Sequence, residues 1–324
     1  MSGTSALRTW WAPRPPATGS AVMATGILSV GLHLTGQQIL SRLALVLAGA
    51  AWLGLAADIA LQLLWDREQW RARAGSPAAL TMVPATTVLG SGVSALNGQP
   101  LAEALLALAV VLWACLVPLT VPDWERRMPG AVFLGCVATE GIAMLGAVLA
   151  AAEGVAWLAH TALVFFWFGL VFYLIGLGCF DPRQVVTGPG DQWISGGALA
   201  LSALAGSQLM SAAHKGPYLW NNDDSGVLRG VTVALLVLAL ACYVVLAVAE
   251  VLRPRFRYDV RRWSTVFPMG MTAVAALSVA SSVGVPWLRG LGRVLLWIAV
   301  AAWLLVLAGA VASAVDGVRS RARR

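Results

Sequence analysis

The side chains best suited to hold a metal or a haem are three histidines, His33, His160 and His214, and four cysteines, Cys115, Cys136, Cys179 and Cys242. The histidines are scattered with no helical pairing, and no CxxC or Cys/His spacing occurs, which argues against a zinc site, a two-histidine haem site and a disulfide frame. The cysteines all lie in apolar runs and read as small core residues, so no cofactor and no metal are expected. An enzyme would need convergent groups such as paired aspartates, or a serine with a histidine and an acid at one depth, and none is found. What remains is one carboxylate inside an apolar run, Glu140, and many hydroxyls at helical spacing. Such groups bind protons or polar solutes without covalent chemistry.

The elements that must position them are membrane helices. The chain of 324 residues is 59% hydrophobic and 11% charged, with a mean hydropathy of +0.78. A water-facing surface needs about 25% charged residues, so the composition excludes a soluble domain. Ten apolar runs of membrane-spanning length occur, at 20–36, 41–64, 77–97, 101–121, 130–151, 157–180, 193–212, 228–251, 264–283 and 290–314. They form a single membrane domain. The first follows a short basic leader, Arg8 and Arg14, but lacks a clean apolar core and cleavage site, and is read as an uncleaved span. Trp65, Trp70, Trp124, Trp157, Trp193, Trp220, Trp263 and Trp287 fall at or near run ends, where indoles settle at the headgroup level.

The net charge of +7 raises the question of nucleic acid, which the distribution answers. The basic residues sit in short loops rather than on one helix face, so no nucleic-acid partner is expected. With a cytoplasmic N-terminus, 17 of the 22 Lys and Arg residues fall in inside segments. That bias predicts a multi-pass protein of the cell membrane with both termini inside.

Hydroxyls separate two kinds of helix. The odd-numbered runs carry 20 Ser and Thr residues and the even-numbered ones 5. Lipid offers a hydroxyl nothing beyond its own backbone, so odd helices are expected to face protein or water and even ones lipid. At about 100° per residue, Thr25, Ser29 and Gly36 share a face; so do Thr87, Ser91 and Ser94, close to Gly90; so do Ser195, Ser202 and Gly206; and so do Ser264, Phe267, Met271 and Ser278, close to Gly270. Each strip either packs helices closely or lines a polar path. Their recurrence predicts an all-α fold of five hairpins, with an inner ring of odd helices around a central pore and an outer ring of even ones.

The run Val22-Met23-Ala24-Thr25-Gly26-Ile27-Leu28-Ser29-Val30 resembles the first span of the tellurite-resistance/dicarboxylate transporter family. Similar matches follow in order: Thr81-Met82-Val83-Pro84 with Thr87-Val88-Leu89-Gly90, Val137-Ala138-Thr139, Trp193 through Gly197, and Trp263 through Met271. The resemblance runs from about residue 15 to 310. This family includes bacterial tellurite-resistance proteins, malic-acid transporters, sulfite efflux proteins and slow anion channels of plants. It implies ten helices around a pore, a homotrimer, small anions as the permeating species, and an occluding phenylalanine that matches Phe267. The residues alone leave Phe267 as either packing or gate.

Glu140 replaces an amide of the family pattern. Two readings stand: a buried glutamate tying the fifth helix to a neighbour, or a protonatable group suited to proton-coupled transport. His33, near the outer end of the first span, is either solvated or pH-sensitive. No arginine or lysine falls at the centre of an odd span, so an anion would be held by hydroxyls, helix dipoles and backbone N–H groups. The expected function is transport of a C4-dicarboxylate such as malate, or of chloride, nitrate, sulfite or tellurite-linked anions, and not catalysis.

Overall fold

Apolar runs punctuated by glycine and asparagine fold here as helical hairpins. The computed structural model describes residues 18–65, 74–215, 224–253 and 259–322. The predicted topology and interface residues Arg8, Arg14, Trp70 and Trp220 lie outside the described residues.

Ten helices of 14 residues or more are present among the described residues: α1 Thr18–Leu34, α2 Gln38–Trp65, α3 Met82–Ala95, α4 Gln99–Thr120, α5 Leu134–Glu153, α6 Ala156–Cys179, α7 Ile194–Lys215, α8 Asp224–Leu252, α9 Trp263–Val283 and α10 Pro286–Ala322. There is no strand among these residues; one isolated bridge joins Met128 to Phe180. The turns have a local cause. Gly36, Gly154 and Gly284 adopt φ of +83°, +70° and +76°, and Asn97 adopts +63°, each ending the first helix of a hairpin. Glycine enters this left-handed region without a Cβ clash, and asparagine tolerates it. Four odd helices open on a tighter turn: Pro77–Thr81 before α3, Gly130–Phe133 before α5, Asp191–Trp193 before α7 and Val260–Arg262 before α9. Helix α10 continues past the apolar limit at 314, because Arg and Ala sustain a helix without being apolar.

Eight helices are long and apolar enough to cross a membrane, among the described residues. The other two are α1, a shorter apolar helix, and α7, whose Ser, Gly and Gln residues lower its hydropathy. A helix enclosed by other helices needs few lipid-facing side chains. Burial divides the eight sharply. In α3, α5 and α9 with their leading turns, 78%, 94% and 72% of the most apolar window is buried, whereas in the even helices the share is 11–28%. Their outward faces present side chains such as Leu43, Val46, Leu174 and Leu305, an extent of apolar surface that only lipid or another apolar surface can cover. The exposed indoles of Trp65, Trp157 and Trp287 lie at helix ends. Trp193 and Trp263 are instead buried against Tyr243 and Trp303, and Trp124 packs on Phe172, because each leads an odd helix into the bundle rather than toward lipid. The chain is thus an all-α, multi-pass membrane protein.

Packing follows the same alternation. Helix α1 packs on α3, α3 on α5, α5 on α7, α7 on α9, and α9 back on α1. Each even helix packs on its own hairpin partner and on the next odd helix: α2 on α3, α4 on α5, α6 on α7, α8 on α9 and α10 on α1.

Candidate functional site

The odd helices share one polar level. Thr25, Thr86, Thr139, Ser202 and Thr272 donate their hydroxyls to the carbonyls of Ala21, Met82, Gly135, Ala198 and Pro268, four residues back, at 2.8–3.0 Å. Back-bonding satisfies each donor within its own helix and leaves the oxygen free to accept. In three cases an indole from the preceding even helix uses that oxygen: Trp303 Nε1 donates to Thr25 at 2.9 Å, Trp52 to Thr86 at 2.9 Å and Trp113 to Thr139 at 2.8 Å.

These tryptophans belong to a repeat that hydropathy does not reveal. Ser41-Ala48-Trp52 on α2 has counterparts in Ala102-Ala109-Trp113 on α4, Ala162-Gly169-Tyr173 on α6, Thr232-Ala239-Tyr243 on α8 and Gly292-Ala299-Trp303 on α10. In each, two small residues seven apart precede an aromatic by four. The small residues let the even helix approach the odd pair closely, and the aromatic reaches across. The spacing was present in the sequence, but only the packing shows what it is for.

Several hydroxyls and glycines expected to line a pore have close partners on neighbouring helices. Thr25 meets Trp303 of α10. Ser29 donates to the Ser41 carbonyl at 2.8 Å while Ser41 donates back to the Ser29 carbonyl, locking α1 to α2. Gly90 faces Leu145 of α5 and Leu105 of α4. Ser94 donates to Gln99 Oε1 at 2.8 Å in the α3–α4 turn. Gly206 faces Thr232 of α8, and Gly270 lies 3.0 Å, at its would-be Cβ, from Ile27 of α1. The physical reason is common to all: a hydroxyl in an apolar setting gains most from a second helix, and a small residue gives most where a helix approaches. A single helical wheel carries no mark of which neighbour lies where.

Other strip residues border the space between odd helices. Thr87 hydrogen-bonds the Pro84 carbonyl at 3.2 Å and faces Gly141 of α5, and Ser91 donates to the Thr87 carbonyl at 3.0 Å. Ser202 lies 3.9 Å from Cys136 Sγ of α5. Ser264 shares a 3.0 Å hydrogen bond with Ser20 of α1. Ser278 shares one of 2.8 Å with Ser207 of α7 and accepts from Gln208 Nε2 at 3.2 Å.

Phe267 sits between these contacts. The next residue, Pro268, packs against Gly197 of α7, and Gly270 packs against Ile27 and Leu28 of α1. Those two positions are about 160° apart on the helix, with Phe267 in the arc between them. On the opposite side, Met269 packs against a cluster that includes Leu295, Leu296 and Ala299 of α10. The phenyl ring therefore enters the space that α1, α7 and α9 border on the side away from the even helices. It is 1% exposed, and Met271, one turn on, is fully buried, so this level is closed by side chains. Pro268 supplies no N–H to the carbonyl of Ser264, which interrupts the α9 ladder beside the ring.

Glu140 is fully buried, and neither carboxyl oxygen has a hydrogen-bond partner. Its side chain lies against Gly169 of α6: a Cβ there would come 2.6 Å from Glu140 Cγ and 2.7 Å from Oε1. His33 is half-buried at the end of α1, with Nδ1 unpartnered.

At the opposite end, where odd helices begin, Asp191 is buried with Oδ1 unpartnered. Burial pushes its carboxyl above the ordinary value, against backbone N–H groups, its own and that of Ala131, and the Arg261 guanidinium, which favour the charged form. Arg261 itself pairs with Asp259 at 3.3 Å. Although partial burial acts the other way, hydrogen bonds from the Arg261 backbone and side chain hold the Asp259 carboxyl below the ordinary value.

Two comparisons with known proteins bear on this arrangement. Two uncharacterized membrane proteins of Mycobacterium tuberculosis, from strains CDC 1551 / Oshkosh and H37Rv, are each 27% identical to the chain over 118 residues, covering 35% of this chain and 58% of theirs. The chain thus spans little more than half the length of these relatives. A family model described as a voltage-dependent anion channel, SLAC1, matches residues 14–311. With nearly the whole chain matched, the chain belongs to the SLAC1 family of anion transporters and channels.

Proposed function

We propose that the protein carries small anions through the centre of each protomer, with a C4-dicarboxylate such as malate as the leading substrate. In this reading all ten helices span the bilayer as five hairpins, the odd ones forming an inner ring around the pore and the even ones an outer ring against lipid. The protein assembles as a homotrimer in the plasma membrane with both termini cytoplasmic. The closed cycle of contacts among odd helices and their greater burial support the two rings.

Phe267 is the gate, and the observation that carries this is its position between the α1-facing Gly270 and the α7-facing Pro268. Met271, Ser264, Ser278, Ser202, Thr87 and Ser91 border the path on either side of it. No arginine or lysine lies at the centre of an odd helix, so hydroxyls and backbone N–H groups hold the anion weakly and release it quickly.

The test is electrical. Purified protein in planar bilayers, under opposed chloride and malate gradients, should give a reversal potential set by the anion gradient. Absence of anion-selective current, together with absence of malate uptake in proteoliposomes, would remove this reading.

A further inference from the structure

The recurring hydroxyl level sets a register across the five odd helices. The residues that follow it are Gly26, Thr87, Glu140, Ala203 and Ala273. In the first hairpin Gly26 meets Val88 of α3 at 2.9 Å from the would-be Cβ and Ala48 of α2 at 3.9 Å, and in the last Ala273 and Ala299 share one packed cluster. Only the third hairpin puts a carboxyl in this position. Helix α6 has Gly169 where the other even helices have Ala48, Ala109, Ala239 and Ala299. The missing methyl is the space the carboxyl occupies. Glu140 therefore lies in the seam between α5 and α6, on a different side of α5 from Gly141, which meets Thr87 and Pro84 of α3.

The surroundings are chemically sparse. On α5 itself the nearest titratable group is the Cys136 thiol, one turn back, beside the Ser202 hydroxyl of α7. On α6 it is the Tyr173 phenol, one turn beyond Gly169, and α8 contributes Cys242, which acts on that phenol. Toward α4 the neighbours are Thr139 and Trp113, hydrogen-bonded to each other. Among the described residues no lysine, arginine or histidine acts on the carboxyl. The donor nearest it is the Ser202 hydroxyl of α7, already given to the Ala198 carbonyl; a charge sealed in this apolar seam with no donor of its own is costly, and a bound proton removes that charge.

We propose that Glu140 is a proton-binding site in the α5–α6 seam, and that release of its proton loosens the seam and changes anion flux. The flux part rests on the anion pathway proposed above. With the proton bound, the neutral carboxyl lies against Gly169 and the two helices stay in contact. With the proton lost, the charge draws in water or parts the helices. Helix α5 is packed on α3 through Gly141 and on α7 beside Cys136 and Ser202, so its displacement reaches both odd neighbours.

The full chain is reconstituted in vesicles and treated with dicyclohexylcarbodiimide, which reacts with a carboxyl that carries its proton in an apolar setting. The expected result is an adduct on the peptide containing Glu140, absent in Glu140→Gln, that forms less readily as the pH is raised from about 5 to about 9. In parallel, anion flux in the parent should change several-fold across that range. Glu140→Gln, which mimics the proton-bound side chain, should hold the parent's low-pH rate throughout. No adduct at Glu140 in folded parent protein, or a parental pH profile in Glu140→Gln, overturns the proposal. An adduct without anion flux at any pH would overturn the transport reading while leaving the proton site standing.

Discussion

The indole nitrogen of Trp113 on α4 donates to the hydroxyl of Thr139 on α5 at 2.8 Å, and the same bond joins Trp52 to Thr86 and Trp303 to Thr25. In each case the donor belongs to one hairpin and the acceptor to the next, so the bonds run around the molecule rather than within its hairpins. Removing one donor leaves the threonine back-bonded to its own helix and therefore not orphaned. Trp113→Phe should cost about 1 kcal/mol, in line with single polar contacts in membrane bundles, and Thr139→Val a similar amount. The double variant should cost less than the sum, since both remove one bond. Thermal unfolding of the four proteins in one detergent checks the cycle.

Phe267 is among the largest fully buried side chains and lies on the arc of α9 between Pro268, against α7, and Gly270, against α1. Phe267→Ala should raise anion flux several-fold while leaving the oligomer intact. Flux in proteoliposomes and size-exclusion with light scattering are the two readings. Parental flux in an intact, folded variant would return Phe267 to packing alone.

Gly169 and Glu140 are fitted to each other, so a methyl at 169 has nowhere to go while the glutamate stays. Gly169→Ala should lower stability by about 1–3 kcal/mol, the usual range for overpacking. Glu140→Ala should restore most of that loss when combined with it, because the obstructing atoms are those of the glutamate side chain. Gly130→Ala offers the contrast: its Cβ would run into the Asp191 main chain, which no side-chain change relieves.

Asp191 carries a pH signature of its own. Burial raises its value in the folded protein, so between the ordinary carboxylate range and the raised value the native state holds more protons than the unfolded chain. Stability then falls as pH rises through that interval. Asp191→Asn removes the effect while keeping an acceptor for the Ala131 N–H. The variant should melt higher than the parent at about pH 7, and the gain should disappear below about pH 3, where both states are protonated. Melting temperatures across pH measure it directly.

Residue identity alone decides much of this protein. Partition between water and lipid is a property of side chains taken in runs, so the membrane class, the apolar segments and the unequal hydroxyl content of odd and even helices were all legible before any packing was known. The left-handed turns were not read from it: Gly36, grouped with Thr25 and Ser29 on one helical face, lies beyond the end of α1 at Leu34 with φ of +83°, where the backbone needs a residue without Cβ. The tertiary structure decided which way each polar group turns. A helical wheel gives angles within one helix but no direction for its neighbours, and so it could not pair Thr25 with Trp303 of α10 or Ser29 with Ser41 of α2. It likewise could not place Glu140 against Gly169 of α6. The decisive pairs, such as Trp303 with Thr25, are 278 residues apart in the chain. Contacts of that separation exist only once five hairpins have closed on one another.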